Sequence, residues 1–368
     1  MKLSVTTLAF LTIYALSMTI SFAAQYSNPV LIRGFRSAPI NIGVADPTVI
    51  QGDDGWMYSF STNRLVLKSK DGCNWLVHSR NIIPNPTWGD DYYGRPINAR
   101  VWAPDVRKVQ NKWIYYYSLS AWGLPCGIGY AVADNVAGPY VDKGKLFTCK
   151  EIGIENCIDP QVIVEDDGSV FMVMGSFRGI YLIELTRDGM DCRKGVEYQK
   201  ETKTLIAGYP GPWDGATYEG SYIVKKDGYY YYFGSVGTCC EGEKSTYRVY
   251  VARADDIRGP YCGSDGVPIT QSGYGKTYGN LVVKAPASVP KRVVGPGHNS
   301  VFVDANGDWW LYYHAFTSLD SFRTRHLFMD KLLWDKNGFP YIENKTPSFQ
   351  TLREGPKLNL PNRKATSY

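Results

Sequence analysis

A short polar turn followed by an aromatic-rich run recurs five times along this chain, and no other feature limits its fold so strongly. The turns are Asp54-Gly55, Gln110-Asn111, Asp167-Gly168, Asp227-Gly228 and Asn306-Gly307. They lead into Trp56-Met-Tyr-Ser-Phe60, Trp113-Ile-Tyr-Tyr-Tyr117, Val170-Phe-Met-Val-Met174, Tyr229-Tyr-Tyr-Tyr-Phe233 and Trp309-Trp-Leu-Tyr-Tyr313. Each reads as a hairpin, because turn residues that accept positive φ adjoin β-branched and aromatic residues that suit a pleated surface. Apolar runs such as Pro47-Thr-Val-Ile50 and Ser300-Val-Phe-Val303 precede the turns, and third strands such as Ile128-Gly-Tyr-Ala-Val132 follow. Ala137-Gly-Pro-Tyr140 and Arg258-Gly-Pro-Tyr261 repeat a closing turn. Five units of three or four strands, spaced by roughly 60 residues, predict an all-β, five-bladed β-propeller. A two-sheet sandwich would be as strand-rich, but it does not call for five similar units.

In a propeller the first strand of each blade lines the central axis, so equivalent positions converge on one channel mouth. Nine positions before the second residue of each turn stand Asp46, Trp102, Asp159, Glu219 and His298. A carboxylate at the buried start of an apolar strand is costly unless partners compensate. Taken singly, each acid could be a cap bonded to turn amides. Three on one ring point instead to chemistry. Hydrolysis of a glycosidic bond needs one protonated carboxylic acid at the leaving oxygen and one ionised carboxylate. A third carboxylate nearby raises the pKa of the acid by like-charge repulsion. Trp102 would supply a flat apolar face for a sugar ring, with core packing as the alternative. The tyrosine runs at 115–117 and 229–232 read as core, since period-2 alternation sends half of each into a sheet-sheet interface.

The bulk properties leave few other classes open. The net charge of +5 is spread along the chain, with no basic block denser than Lys225-Lys226 or Lys143-Gly-Lys145, so neither nucleic acid nor an acidic membrane is an expected partner. Lys2, the apolar run from Leu3 to Ile20 and the small-residue pattern Ser21-Phe22-Ala23-Ala24 read as a secretory signal peptide over residues 1–24, against a retained anchor. The remainder, 25–368, is expected to be one catalytic domain, secreted to an extracellular or periplasmic space and monomeric. Eight cysteines in an exported chain imply some disulfides, in a pattern sequence cannot resolve. None is spaced C-x-x-C and the four His are scattered, so zinc is not indicated. The adjacent Cys239 and Cys240 are read as one buried thiol beside one bridged or exposed thiol.

Five motifs carry a resemblance: Val44-Ala-Asp-Pro-Thr-Val-Ile50, Val101-Trp-Ala-Pro-Asp-Val106, Ile158-Asp-Pro-Gln-Val162 with Gly175-Ser-Phe-Arg-Gly179, Tyr218-Glu-Gly-Ser-Tyr222, and Gly295-Pro-Gly-His-Asn-Ser300. In this order, over essentially the whole mature chain, they resemble the family-43 glycoside hydrolases, five-bladed propellers with an inverting mechanism. The resemblance implies that Asp46 is the base that activates water, Glu219 the general acid, and Asp159 the group that tunes and orients Glu219. Gly234-Ser-Val-Gly-Thr-Cys-Cys240 and Ser245-Thr-Tyr-Arg248 further resemble the arabinanase branch, whose substrate is α-1,5-linked L-arabinan. That branch implies a central metal ion, often calcium, that the fifth-blade histidine, here His298, helps hold largely through water, with no cofactor required for the chemistry. Many of its members carry His immediately before the base, where this chain has Ala45, which puts the inner site in doubt. Arg325 resembles a family arginine that reaches a sugar hydroxyl, with a surface salt bridge as the alternative, and Asp105 is expected to be structural. The loops at 208–213 and 271–290 decide whether the cleft is walled. The expected partner is thus a polysaccharide or oligosaccharide. A β-xylosidase or α-L-arabinofuranosidase would use the same scaffold, and a non-catalytic carbohydrate-binding propeller is the alternative from another class.

Overall fold

A computed structural model of the chain describes residues 24–89, 100–121 and 126–359. The expected leader lies outside the described residues apart from Ala24, and no helix among the described ones is long and apolar enough to cross a membrane. Five antiparallel sheets follow one another in chain order, each hydrogen-bonded strand to neighbouring strand. Their innermost strands are Thr48–Gln51, Arg100–Val109, Gln161–Val164, Glu219–Lys226 and Val293–Val303, and their second strands are Met57–Ser61, Lys112–Ser120, Val170–Met174, Tyr229–Val236 and Trp309–Thr317. This is the predicted five-bladed propeller, with four strands per blade. Blade 1 gains a fifth, Leu31–Arg33, which runs parallel to Asn74–Ser79 at its outer edge.

Alternation along the second strands builds the ring. In blade 2, Tyr115 and Tyr117 enter the core shared with blade 1, and Tyr116 enters the core shared with blade 3. Blade 4 repeats this: Tyr231 and Phe233 face blade 5, whereas Tyr232 faces blade 3. In blade 5, Leu311 and Tyr313 face blade 4, and Tyr312 faces blade 1 beside Trp75. The expectation that only half of a tyrosine run is core therefore understates the case for 115–117, where all three rings are fully buried. Both faces of a blade are covered by neighbours, so neither set of alternating side chains meets water. Burying one such ring contributes roughly 1.5–3 kcal/mol.

The ring is closed by the N-terminal stretch, which the repeat does not announce. Gln25–Tyr26 pairs with Arg353–Glu354, and the Val30 amide donates to Leu327 O on blade 5 at 3.0 Å before Leu31–Arg33 joins blade 1. Asn28, 1% exposed, lies between these contacts. Its Nδ2 donates to Met329 O at 2.7 Å, to Ser348 Oγ at 2.9 Å and to Asp330 Oδ2 at 3.2 Å, and its Oδ1 accepts from the Met329 amide at 3.0 Å. Asn28→Ala strips partners from several buried polar groups at once, so it should lower unfolding free energy by about 2–4 kcal/mol. Urea denaturation checks this, and a loss below about 0.5 kcal/mol would mean that the stitch contributes little to stability.

Two disulfides are present among the described residues. Cys126–Cys149 joins the start of blade 2's third strand to the short helix Cys149–Ile152. The second corrects the reading of Cys239 and Cys240: they bond to each other, with Cα atoms 3.8 Å apart, and neither is in the core. Cys73, Cys157 and Cys192 are buried free thiols.

Candidate active site

One backbone device is repeated around the channel mouth. Just upstream of each innermost ladder, or within it, the residue at the channel mouth takes left-handed φ: Asp46 at 55°, Ala103 at 36°, Asp159 at 60°, Gly220 at 59° and His298 at 48°. Four of these carry a Cβ, a conformation that costs about 1–3 kcal/mol each and persists only where surroundings enforce it. The enforcement is visible, because each turned-out amide is caught by a neighbouring side chain. Asp46 N–H donates to His314 Nδ1 (3.1 Å), Ala103 N–H to Thr62 Oγ1 (2.8 Å), Asp159 N–H to Ser118 Oγ (2.9 Å) and His298 N–H to Ser235 Oγ (2.8 Å). The fifth acceptor position holds Gly175, which has no side chain. There Gly220 N–H donates to Asp159 Oδ2 instead, at 3.0 Å.

This ring refines the nine-residue count. The left-handed residue stands nine positions before the second turn residue in blades 1, 3 and 5, whose turns span five residues, but eight positions before it in blades 2 and 4, whose turns span two. Trp102 and Glu219 therefore sit one residue ahead of the ring position, paired with Ser118 and Ser235 respectively. Glycine is needed at 220, where a Cβ would come within 3.0 Å of the His298 ring on strained backbone.

Asp46 is enclosed by cationic and donor groups. Arg325 Nη1 lies 3.1 Å from Oδ1, His298 Nδ1 3.3 Å and His314 Nδ1 3.4 Å, while Thr62 Oγ1 donates to Oδ2 at 2.5 Å. Burial opposes ionisation, yet Arg325, joined by the Thr62 hydroxyl, outweighs it and holds this carboxyl well below the usual carboxylate range. The two histidines are held neutral chiefly by burial, with Arg325 adding to it. Because Asp46 N–H donates to His314 Nδ1, the remaining proton of that ring belongs on Nε2.

Glu219 and Asp159 are placed in the opposite electrostatic state. Burial drives Glu219 up to about 7, against hydroxyls from Tyr247 and Ser176, and the charge on Asp46 adds to the rise. Burial, Glu219 and Asp46 together push Asp159 well above its ordinary value. The two groups thus keep a proton between them toward neutral pH. Hydrogen bonding decides which is the better acid. Asp159 Oδ2 accepts a fixed amide N–H, which favours a carboxylate, whereas Glu219 Oε2 faces the Ser176 hydroxyl at 2.8 Å, a rotor that serves either form.

The structure brings Asp46, Asp159, Glu219 and His298 to one mouth, with half-buried Trp102 on the same rim strand of blade 2. Arg325 pairs with the carboxylate of Asp46 at 21% side-chain exposure, a partly buried ion pair and not a surface one. Asp105 is structural as expected: it is buried, accepts from the Val162 amide at 2.8 Å and pairs with Arg107 at 3.1 Å. Sequence reasoning missed His314, Thr62, Ser176 and Tyr247. Tyr247 stacks on His314 with centroids 5.7 Å apart, and a Cβ at Gly297 would meet its ring at 2.1 Å, which accounts for the small residue in Gly-Pro-Gly-His. A signal for the acceptors was available. Seven positions beyond each second turn residue stand Thr62, Ser118, Gly175, Ser235 and His314.

Calcium takes about six to eight oxygen ligands. His298 offers one nitrogen pair, with Nδ1 turned to an Asp46 oxygen that Arg325 already engages. This donor set does not fit direct coordination of that ion, and no step below is routed through it.

An ionised carboxylate on blade 1 facing a protonated acid on blade 4, across a polar mouth, is the equipment of a glycoside hydrolase. The chain belongs to the glycosyl hydrolases family 43, whose model matches residues 36–340. It is 32% identical, over 83% of its length and 87% of the relative's, to the extracellular exo-α-(1→5)-L-arabinofuranosidase of Cellvibrio japonicus. An extracellular endo-α-(1→5)-L-arabinanase of Bacillus subtilis is 31% identical over 62% of this chain and 70% of its own. Among solved structures, the α-L-arabinanase of Cellvibrio cellulosa complexed with arabinohexaose superimposes with a TM-score of 0.71 at 30% identity, covering 83% of this chain and 97% of that one.

Proposed function

We propose that the protein is an exported hydrolase of α-1,5-linked L-arabinan that inverts the anomeric centre, with Asp46 as general base, Glu219 as general acid and Asp159 as the group that tunes and positions the acid. One observation carries this reading: two carboxyl groups across a single mouth are held in opposite protonation states, Asp46 ionised and Glu219 pushed up to about 7. Blades 1 and 4 are not neighbours in a ring of five, and direct displacement needs room between its two carboxyls for a water as well as the sugar. Asp46 accepts a proton from water as its oxygen bonds to the anomeric carbon. The glycosidic bond breaks and its oxygen takes the proton of Glu219. Trp102 stacks on the sugar. The sugar and linkage follow the names of the relatives, and export follows the leader and the description of those relatives as extracellular.

Incubating the purified protein with linear arabinan, xylan and galactan, beside nitrophenyl glycosides, tests the substrate. New reducing ends from arabinan are expected, and their absence there with turnover of another glycan would reassign the substrate while leaving the chemistry in place. Arg325→Ala removes the strongest cationic partner of Asp46, so its carboxyl rises and the acidic limb of the pH–rate profile should move to higher pH. An unmoved limb would show that Arg325 does not keep the base ionised.

A further inference from the structure

Trp213 is a large apolar side chain left 57% exposed. It lies on the stretch that leads from the outermost strand of blade 3, Thr204–Ala207, to Glu219 at the head of blade 4. Its ring stands edge-on to Phe177, with centroids 5.7 Å apart. Phe177 is anchored beside the acid: its amide donates to Tyr218 O at 2.8 Å, and the adjoining Ser176 hydroxyl donates to Glu219 Oε2 at 2.8 Å. The indole is therefore on the Glu219 side of the mouth, on blades that face Asp46 across the channel.

The backbone under the indole is pinned. Asp214 accepts from the Ala216 amide at Oδ1 (2.8 Å), from the Gly275 amide at Oδ2 (3.2 Å) and, at its carbonyl, from the Thr217 amide (3.0 Å). The bond to Gly275 ties this loop to the second loop that the sequence flagged as a possible cleft wall. An exposed indole on so fixed a loop contributes little to folding, but it offers a preorganised flat face of the kind that stacks on the C–H face of a sugar.

General acid catalysis adds a direction. The acid protonates the glycosidic oxygen, so it stands on the leaving-group side of the scissile bond, while the base and its water occupy the opposite face of the ring. We infer that Trp213 is the stacking surface for the sugar on the leaving-group side and thereby a determinant of affinity for the polymer, an inference that rests on Glu219 being the acid.

The test compares wild type, Trp213→Ala and Trp213→Tyr on linear arabinan, or on whichever polymer the wild type cleaves in the panel above. Trp213→Ala should raise KM by about fivefold, the size of one lost aromatic stacking contact, with kcat within about twofold and an unmoved pH profile. Trp213→Tyr, which keeps a flat ring, should recover most of the KM. Wild-type turnover with an unchanged KM in Trp213→Ala overturns the role of Trp213 alone, as does a loss shared by kcat that Tyr fails to recover. No turnover by the wild type on any glycan overturns the reading of Glu219 and this inference with it.

Discussion

Asp46→Asn and Glu219→Gln are each expected to cut kcat/KM on arabinan by about 10²–10⁴-fold, the usual effect of removing a positioned acid or base. The two variants should differ when the leaving group changes. A nitrophenolate departs without a proton, so on a nitrophenyl glycoside Glu219→Gln should recover much of its rate. Asp46→Asn should not, because water still needs its base. Kinetics of both variants on both substrates check this, and equal deficits everywhere would mean that the roles of the two carboxyls are not separated as the geometry implies. The expectation follows from the enclosures of the two groups. Arg325 sets a positive charge against Asp46 and Thr62 donates to it, whereas Glu219 has hydroxyls and burial.

Asp159→Asn should lower kcat by about 10–100-fold and move the alkaline limb of the pH profile to lower pH. The sign follows from the direction of the shifts. Glu219 works in its protonated form, and its carboxyl is pushed up to about 7, so wild-type activity should fall as pH rises through that value. Asp46 is held well below the carboxylate range, so the acidic limb of the wild type lies low. Burial is the largest cause of the rise in Glu219 and survives the substitution, but the repulsion between the two carboxyls does not. The pair then holds its proton less tightly. An alkaline limb that stays in place would mean that Asp159 is itself neutral in the working enzyme and acts by orientation, through its bond to the Gly220 amide.

The repeat made the fold legible because a propeller is one supersecondary unit used five times, and the turn residues mark each copy. The same repeat exposed Asp46, Asp159 and His298, which share one ring position, and it caught Trp102 and Glu219 because shorter turns in blades 2 and 4 displace the count by a single residue. What stayed hidden came from elsewhere in each blade. His314 lies within the second strand of blade 5 and Thr62 just beyond that of blade 1, where a polar residue near an aromatic run looks like ordinary variation, and Tyr247 is lost among many tyrosines. The role of His314 depends on blade 5 closing against blade 1. The N-terminal stretch, including Asn28, brings about that closure, and nothing in the periodic pattern marks it. Ala45 is the instructive departure. The imidazole beside Asp46 is supplied by His314, more than two hundred residues downstream, so the adjacent sequence position says little about what surrounds the base.

Inversion requires Asp46 and Glu219 to act from opposite sides of one bond in a single displacement. Proton NMR of the sugar released in the first moments of turnover on linear arabinan, before mutarotation, reads that out directly. The predicted product has the anomeric configuration opposite to that of the substrate linkage. A first product with the configuration retained would contradict the assignment of Asp46 as a base acting on water.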